Sequence, residues 1–200
     1  MRNRVHIVWD NSNIYLSGKS LCERIEGSSD AFNIHSEKLL KLAAAGRPIE
    51  QVYFVGDEPS APESFFDTIA NQTGRAPEVY RRGVPTGRKQ ALYKAIYTKL
   101  LMLWYALIAP ETLVLLSGDG STAHQRISFL YYLKRVYMFG WNVEILSWRD
   151  SLDQNLKEWA DEHALVVELD PFYEQITYIE GGRLSLPVDL TMRPTRPKSL

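Results

Sequence analysis

The stretch Arg4-Val5-His6-Ile7-Val8-Trp9-Asp10-Asn11-Ser12-Asn13 organises the rest of the chain. Residues 5–9 are mostly apolar and lack the alternation of a half-exposed strand, which predicts a strand buried on both faces, as in a parallel sheet. Polar residues follow at once, so Asp10 stands where the chain leaves the sheet. Open α/β sheets bind ligands at this edge, beside the switch point in strand order. Asp10 is therefore either a ligand for a metal ion or a proton, or a cap on the next helix, and this stretch does not separate the two interpretations.

The composition is that of a globular protein. The chain has 200 residues, of which 45% are hydrophobic and 24% charged, with a net charge of −1. This balance excludes nucleic-acid binding through overall basicity, so such a site requires a local cluster of cations. The single cysteine, Cys22, excludes an intramolecular disulfide and a cysteine-rich zinc site. The apolar run at residues 100–108 is too short to cross a bilayer and no signal peptide is recognised, so we expect a cytoplasmic protein without membrane contact.

Strands and helices alternate along most of the chain. The predicted strands are residues 5–9, 52–55, 77–80, 113–116 and 143–146, with a further candidate at 164–169. The predicted helices are residues 37–42, 62–73, 89–107, 122–138 and 152–162, whereas residues 14–30 are interpreted as a loop or a short helix. Such alternation is typical of an α/β fold with a mostly parallel sheet and helices on both faces, and we expect the strand order 3-2-1-4-5.

The end of the chain departs from this alternation. Two strand-like segments flank Gly181-Gly182, which predicts a β-hairpin. Prolines among basic residues near the end predict a flexible tail. The expected organisation is a main domain, a hairpin extension packed on it and a tail, over residues 1–170, 171–190 and 191–200. The hairpin is also a candidate homodimer interface.

Three predicted strands end in a turn that carries an acid, namely Asp10, Asp57 and Asp119. In the order 3-2-1-4-5 the first and fourth strands are neighbours, so Asp10 and Asp119 are expected to face one another across one crevice. Two carboxylates there suit Mg²⁺, because water and substrate phosphate complete its coordination. The alternative is that each acid only caps a turn, and for Asp57, which is followed by prolines, we favour that structural role.

A basic loop, residues 81–89, follows the third predicted strand and leads into a helix that carries more lysines. Cations at that edge are suited to a nucleic-acid backbone, although most charge clusters are simply solvated surface. Polar residues after the first strand are placed to donate to phosphate, and so is a histidine after the fourth. The candidate nucleic-acid-binding residues are Asn11, Ser12, Arg81, Arg82, Arg88, Lys89, Lys94 and His124.

Two of these motifs resemble the NYN domain, a relative of PIN-type ribonucleases. They are Asp10-Asn11-Ser12-Asn13 after the first strand and Ser117-Gly118-Asp119-Gly120 after the fourth, and the resemblance covers about residues 4–170. It implies a PIN-like or Rossmann-like three-layer sandwich. It also implies a metal-dependent endoribonuclease that uses Mg²⁺ or Mn²⁺, with catalytic roles for Asp10, Asn13 and Asp119, of which the two aspartates are metal ligands.

The chain departs from the family pattern at two expected acids. Ser121 stands two residues beyond Asp119, where many members have a second acid, and residues 87–92 contain none where many members have one. Three interpretations remain: an endoribonuclease, an NYN-like module that binds RNA or a protein without cleaving, and a small-molecule phosphatase or nucleotide-binding domain. The third is the weakest, because no Asp-x-Asp nucleophile element follows the first strand.

Overall fold

The structure is a computed structural model that describes residues 4–56, 63–80, 111–120 and 129–195. Its strands are β1 (Val5–Asp10), β2 (Phe32–Ile34), β3 (Ile49–Val55), β4 (Glu78–Tyr80), β5 (Thr112–Leu116), β6 (Asn142–Ser147), β7 (Leu165–Glu168) and β8 (Thr177–Ile179). Its α-helices are α1 (Asn11–Glu26), α2 (Ser36–Ala44), α3 (Glu63–Thr73), α4 (Phe129–Met138), α5 (Gln154–His163) and α6 (Tyr173–Ile176). The predicted helix at residues 89–107 lies outside the described residues, as does the first part of the predicted helix at 122–138.

Six strands form a parallel sheet in the order β4-β3-β1-β5-β6-β7. Every residue of β1 is buried, as its unalternating apolar run predicts. The chain first runs outward from β1 through β3 to β4 and then returns to the other side of β1 as β5, so the switch point lies between β1 and β5. The predicted α/β class is confirmed. The five strands of the predicted order 3-2-1-4-5 are neighbours as predicted, and the sheet differs in detail because β7 adds a sixth strand at the edge and the unpredicted short strand β2 pairs with β8 outside the sheet.

Two apolar cores cover the two faces of this sheet. Trp9 and its alternate neighbours on β1 belong to the core shared with α1, α2 and α3. Val8 belongs to the other core, together with residues of α4 and α5. The fold is therefore a three-layer sandwich, and burial of both strand faces fixes the carboxyl end of β1 between its two neighbours.

Helix α1 corrects the prediction of a loop or short helix at residues 14–30. Its few apolar residues recur at helical spacing, and Ile14, Leu21 and Cys22 are buried against the sheet. The remaining residues are mostly polar and conceal this stripe in the sequence. The helix ends at Gly27, which has a φ of 75° and donates its N–H to the carbonyl of Glu23 at 3.1 Å.

The predicted C-terminal hairpin is wrong in its pairing. A turn does form, because Gly181 has a φ of 72° and Gly182 donates its N–H to the carbonyl of Ile179 at 3.0 Å. Only the first arm becomes a strand, β8, and it pairs antiparallel with β2. The second arm accepts one backbone hydrogen bond across the turn, from Ile179 N–H to the carbonyl of Arg183 at 2.9 Å, and then contacts the body of the protein, as in the bond from Leu186 N–H to the carbonyl of Glu174 at 2.8 Å.

Within the predicted tail, Arg193 ties the described residues 191–195 to the body of the protein. Its side chain is buried, with Nη2 donating to Glu144 at 2.6 Å and Nε donating to the carbonyl of Leu42 at 3.0 Å. Burial by itself raises the pKa of Glu144, but hydrogen bonds and charge from Arg47 and Arg193 outweigh burial and hold that pKa below its usual value. Residues 196–200 lie outside the described part of the chain.

Candidate active site at the carboxyl edge of the sheet

Asp10 occupies the carboxyl end of the central strand and is 6% exposed. One carboxylate oxygen accepts the backbone N–H of Asn13 at 3.1 Å, so Asp10 caps helix α1. The other oxygen accepts the hydroxyl of Ser117 at 3.1 Å. A carboxylate has about four lone-pair sites, so capping a helix does not by itself exclude a second role as a ligand. The two interpretations of Asp10, cap and ligand, are therefore compatible.

Ser117 and Asn13 tie the turn after β5 to the turn after β1. Ser117 Oγ accepts the backbone N–H of Asp119 at 3.1 Å while donating to Asp10, so one hydroxyl links both acids. Asn13 Oδ1 accepts the backbone N–H of Gly118 at 2.8 Å. The sequence placed Asp10 and Asp119 on neighbouring strands, and the structure brings their turns into direct contact.

Glycine is required in the turn after β5 by close packing. A Cβ atom at Gly118 would overlap the carbonyl oxygen of Ser151 and the hydroxyl of Ser147. A Cβ atom at Gly120 would overlap the side chain of Asp153. The carbonyl of Gly118 also accepts the backbone N–H of Asp153 at 2.9 Å. The turns after β1, β5 and β6 therefore form one packed unit at this edge of the sheet.

Ser12 packs against the end of β3, the strand on the other side of β1 from β5. A Cβ atom at Gly56 would lie 2.7 Å from Ser12 Oγ, and Gly56 has a φ of 111°, so the two segments approach closely. The Ser12 hydroxyl is buried and makes no hydrogen bond within the described residues. A buried hydroxyl without a partner costs about 1–3 kcal/mol, so this atom points to a polar ligand at the edge.

Two acids that follow β6 make structural contacts. Asp153 caps α5, because one of its oxygens accepts the backbone N–H groups of Asn155 at 3.0 Å and Leu156 at 3.1 Å. Asp150 forms an exposed ion pair with Arg24 at 2.5 Å. The sequence contains the helix-cap signal of Asp153, but its contact with Gly120 depends on the order of the strands, which no local pattern carries.

The remaining predicted site residues lie outside the described part of the chain. They are Asp57, Arg81, Arg82, Arg88, Lys89, Lys94 and His124. Their predicted roles stay predictions from the sequence, and the same holds for the position of Ser121.

The donor atoms fit a divalent cation only in part. Within the described residues, no group of three or more His, Cys, Asp or Glu side chains is placed to hold a metal ion. Asp10 and Asp119 supply two carboxylates in adjoining turns, and the backbone of Asp119 is tied to Asp10 through Ser117. This set does not form an all-protein cage, but it fits Mg²⁺ or Mn²⁺, which commonly bind through one or two carboxylates with water and substrate phosphate.

The sheet order and the position of Asp10 and Asp119 at the switch point are those of an α/β domain with its site at the carboxyl edge, and the family match identifies this domain as PIN-like and of the nuclease type. The NYN domain model matches residues 4–168, so the chain belongs to the NYN domain family. A crystal structure of a protein of unknown function from Vibrio parahaemolyticus has a TM-score of 0.56 and 16% sequence identity, covering 84% of this chain and 95% of that chain. That likeness shows the fold alone. No curated protein matches the chain.

Within the described residues, no helix is both long enough and apolar enough to span a membrane.

Proposed function

We propose that this protein is a metal-dependent endoribonuclease that hydrolyses RNA phosphodiester bonds. Membership of the NYN family indicates a nuclease-type function related to RNA. The observation that carries the finer proposal is the hydroxyl of Ser117, which donates to Asp10 and accepts the N–H of Asp119. It holds two acids from neighbouring strands at the switch point, where open α/β sheets bind their ligands.

In this mechanism Asp10 and Asp119 would hold Mg²⁺ or Mn²⁺. The bound cation would supply an activated water and neutralise phosphate charge. Asn13 keeps the turn after β5 against α1 through its bond to Gly118. Ser12, in the first turn of α1, donates its hydroxyl to a phosphate oxygen, and the amino-terminal end of that helix favours an anion.

The RNA backbone would run along the same edge of the sheet. The predicted nucleic-acid contacts Arg81, Arg82, Arg88, Lys89, Lys94 and His124 are proposed here on the sequence alone. They follow strands at their carboxyl ends, which is the reason to place them beside Asp10.

The test is cleavage of labelled single-stranded and hairpin RNA with Mg²⁺, with Mn²⁺ or with EDTA. Asp119→Asn keeps the size of the side chain and removes its charge, so we expect the rate to fall at least ~100-fold. Asp161→Asn, at an exposed position on α5, is the matched control and should cleave at the wild-type rate. Cleavage in EDTA, or an unchanged rate in Asp119→Asn, would refute the proposal.

A second candidate function is RNA binding without cleavage. It is favoured by the lack, within the described residues, of three acids placed around one cation. It predicts RNA binding that persists in EDTA and no cleavage with either metal ion. The same assay therefore separates the two candidates.

A further inference from the structure

A groove of about 760 Å³ opens beside the acidic edge. Its walls come from the start of α2, from α3 and from the ribbon formed by β2 and β8. Asn11, which directly follows Asp10, lines the groove, so the groove and the candidate active site share one element. Its volume lies within the range of about 300–1,000 Å³ that is usual for small-molecule sites.

Aromatic rings form much of the lining. Trp9 and Phe65 contact one another with ring centroids 5.5 Å apart, and His35 and Tyr178 do so at 6.2 Å. Trp9 is buried beneath the surface, whereas Tyr15, His35, Phe65 and Tyr178 are half-buried and offer flat surfaces on which the π-face of a nucleobase can stack. The lining therefore suits a planar heterocycle.

The charges of the lining do not suit a phosphate. Among the described residues that line the groove, Glu37 carries a charge and none is lysine or arginine. The other polar side chains there are neutral amides and hydroxyls, such as Asn33, Ser64 and Thr68. Burial and the nearby charge of Lys38 lower the pKa of His35, which keeps its imidazole neutral at pH 7. A phosphate needs cationic donors, whereas a neutral ring with donors and acceptors does not.

One buried donor in the lining lacks a partner. Trp9 is fully buried and its indole Nε1 makes no hydrogen bond within the described residues. An indole N–H can only donate, so it requires an acceptor such as a carbonyl oxygen or a ring nitrogen.

We propose that this groove binds an unpaired nucleobase of the RNA strand whose phosphodiester bond reaches Asp10. This inference rests on the proposed function of the acidic edge. A base in a duplex is stacked and paired on its edge, so only an unpaired base can enter. The substrate class is therefore single-stranded RNA or an unpaired loop.

The first test measures nucleoside binding in EDTA, so it does not depend on cleavage. Saturation-transfer NMR with adenosine, guanosine, cytidine and uridine should detect binding of at least one to the wild-type protein. Thr68→Phe places a ring in the groove and should weaken that binding at least ~10-fold. Asn71→Phe introduces the same ring at an exposed position of the same helix and should change nothing. Ser64→Trp replaces Thr68→Phe if circular dichroism shows that the latter does not fold.

Absence of nucleoside binding by the wild-type protein would overturn the inference, as would equal binding by the groove-filling variant. Asp119→Asn should lose cleavage and keep nucleoside binding. Failure of the proposed function is thus distinguishable from failure of this inference.

The second test asks whether the base comes from RNA or from a free nucleotide. A series of short single-stranded RNAs carries one abasic nucleotide, each RNA at a different position. One of these positions should weaken binding to the wild-type protein ~10-fold relative to the intact RNA. For Thr68→Phe, no abasic position should weaken binding in this way. For Asn71→Phe, the same position should weaken binding as it does for the wild type. Nucleoside binding without any abasic effect would make the groove a site for free nucleotides and overturn its assignment to the RNA strand.

Discussion

At the scale of single residues, Ser117 links the two candidate metal ligands. Its hydroxyl donates to Asp10 and accepts from the backbone of Asp119, and the side chain is fully buried. A hydroxyl with both roles satisfied holds its neighbours in one geometry. Ser117 is therefore a positioning residue for the acids.

Ser117→Ala removes both hydrogen bonds while keeping the backbone. We expect the Mg²⁺ concentration at half-maximal cleavage to rise ~10-fold, because the carboxylate of Asp10 loses its orienting donor. The free energy of unfolding should fall by about 1–3 kcal/mol, since the N–H of Asp119 loses its acceptor. Ser20→Ala, at an exposed position of α1, is the control. An unchanged metal requirement in Ser117→Ala would contradict the positioning role.

The sequence was sufficient to predict that Asp10 and Asp119 lie at one edge, because strand ends and strand order determine it. It was not sufficient to predict the hydroxyl bridge or the contact of Asp153 with Gly120. The first contact joins segments more than a hundred residues apart and the second joins segments about thirty residues apart. Packing between such distant segments leaves no local sequence pattern.

At the scale of elements, the turns after β1, β5 and β6 determine the shape of the site. The sequence predicts where β1 and β5 end, since apolar runs stop at polar residues there. It failed for α1, whose stripe of buried residues is narrow, and for the partner of β8. Residues 183–188 follow a turn signal and were expected to pair with the strand before the turn. That strand, β8, pairs with β2 instead, because pairing depends on which strand edge is available in the fold.

Gly118→Ala tests whether these turns form a packed unit. The added methyl group would overlap the carbonyl of Ser151 and the hydroxyl of Ser147, so the free energy of unfolding should fall by about 1–3 kcal/mol. Gly182→Ala is the matched control, because a Cβ there meets the side chain of Ile179 at an ordinary 3.4 Å. Equal stability of the two variants in urea titrations would show that the turns are loosely packed.

At the scale of the whole molecule, stability should depend on pH through a buried pair at the far end of the sheet. His6 Nε2 lies 2.9 Å from the carboxylate of Glu111, and both side chains are buried. Burial lowers the pKa of His6 below 6.5, and the opposing effect of Glu111 does not restore it. Below about pH 6.5 the unfolded chain therefore takes up a proton that the folded chain does not, so acid favours unfolding.

The free energy of unfolding should be independent of His6 above about pH 7 and should decrease as the pH falls below 6.5. The slope from one histidine is at most about 1.4 kcal/mol per pH unit. His6→Gln keeps a donor for Glu111 and should reduce this slope, while the lowered pKa of His35 leaves a residual slope. The carboxylate of Glu144 has a lowered pKa and contributes only below its usual 4.5. Equal slopes in the wild type and in His6→Gln, measured by urea titration, would contradict this assignment.

The central claim is that Asp10 holds the cation of an RNA-cleaving site. Its most direct test is single-turnover cleavage of labelled RNA in Mg²⁺ by the wild type and by Asp10→Asn, with circular dichroism on both samples. Asp10→Asn preserves an oxygen that can cap α1, so the fold should persist while cleavage falls at least ~100-fold. Cleavage by a folded Asp10→Asn at the wild-type rate would contradict the account.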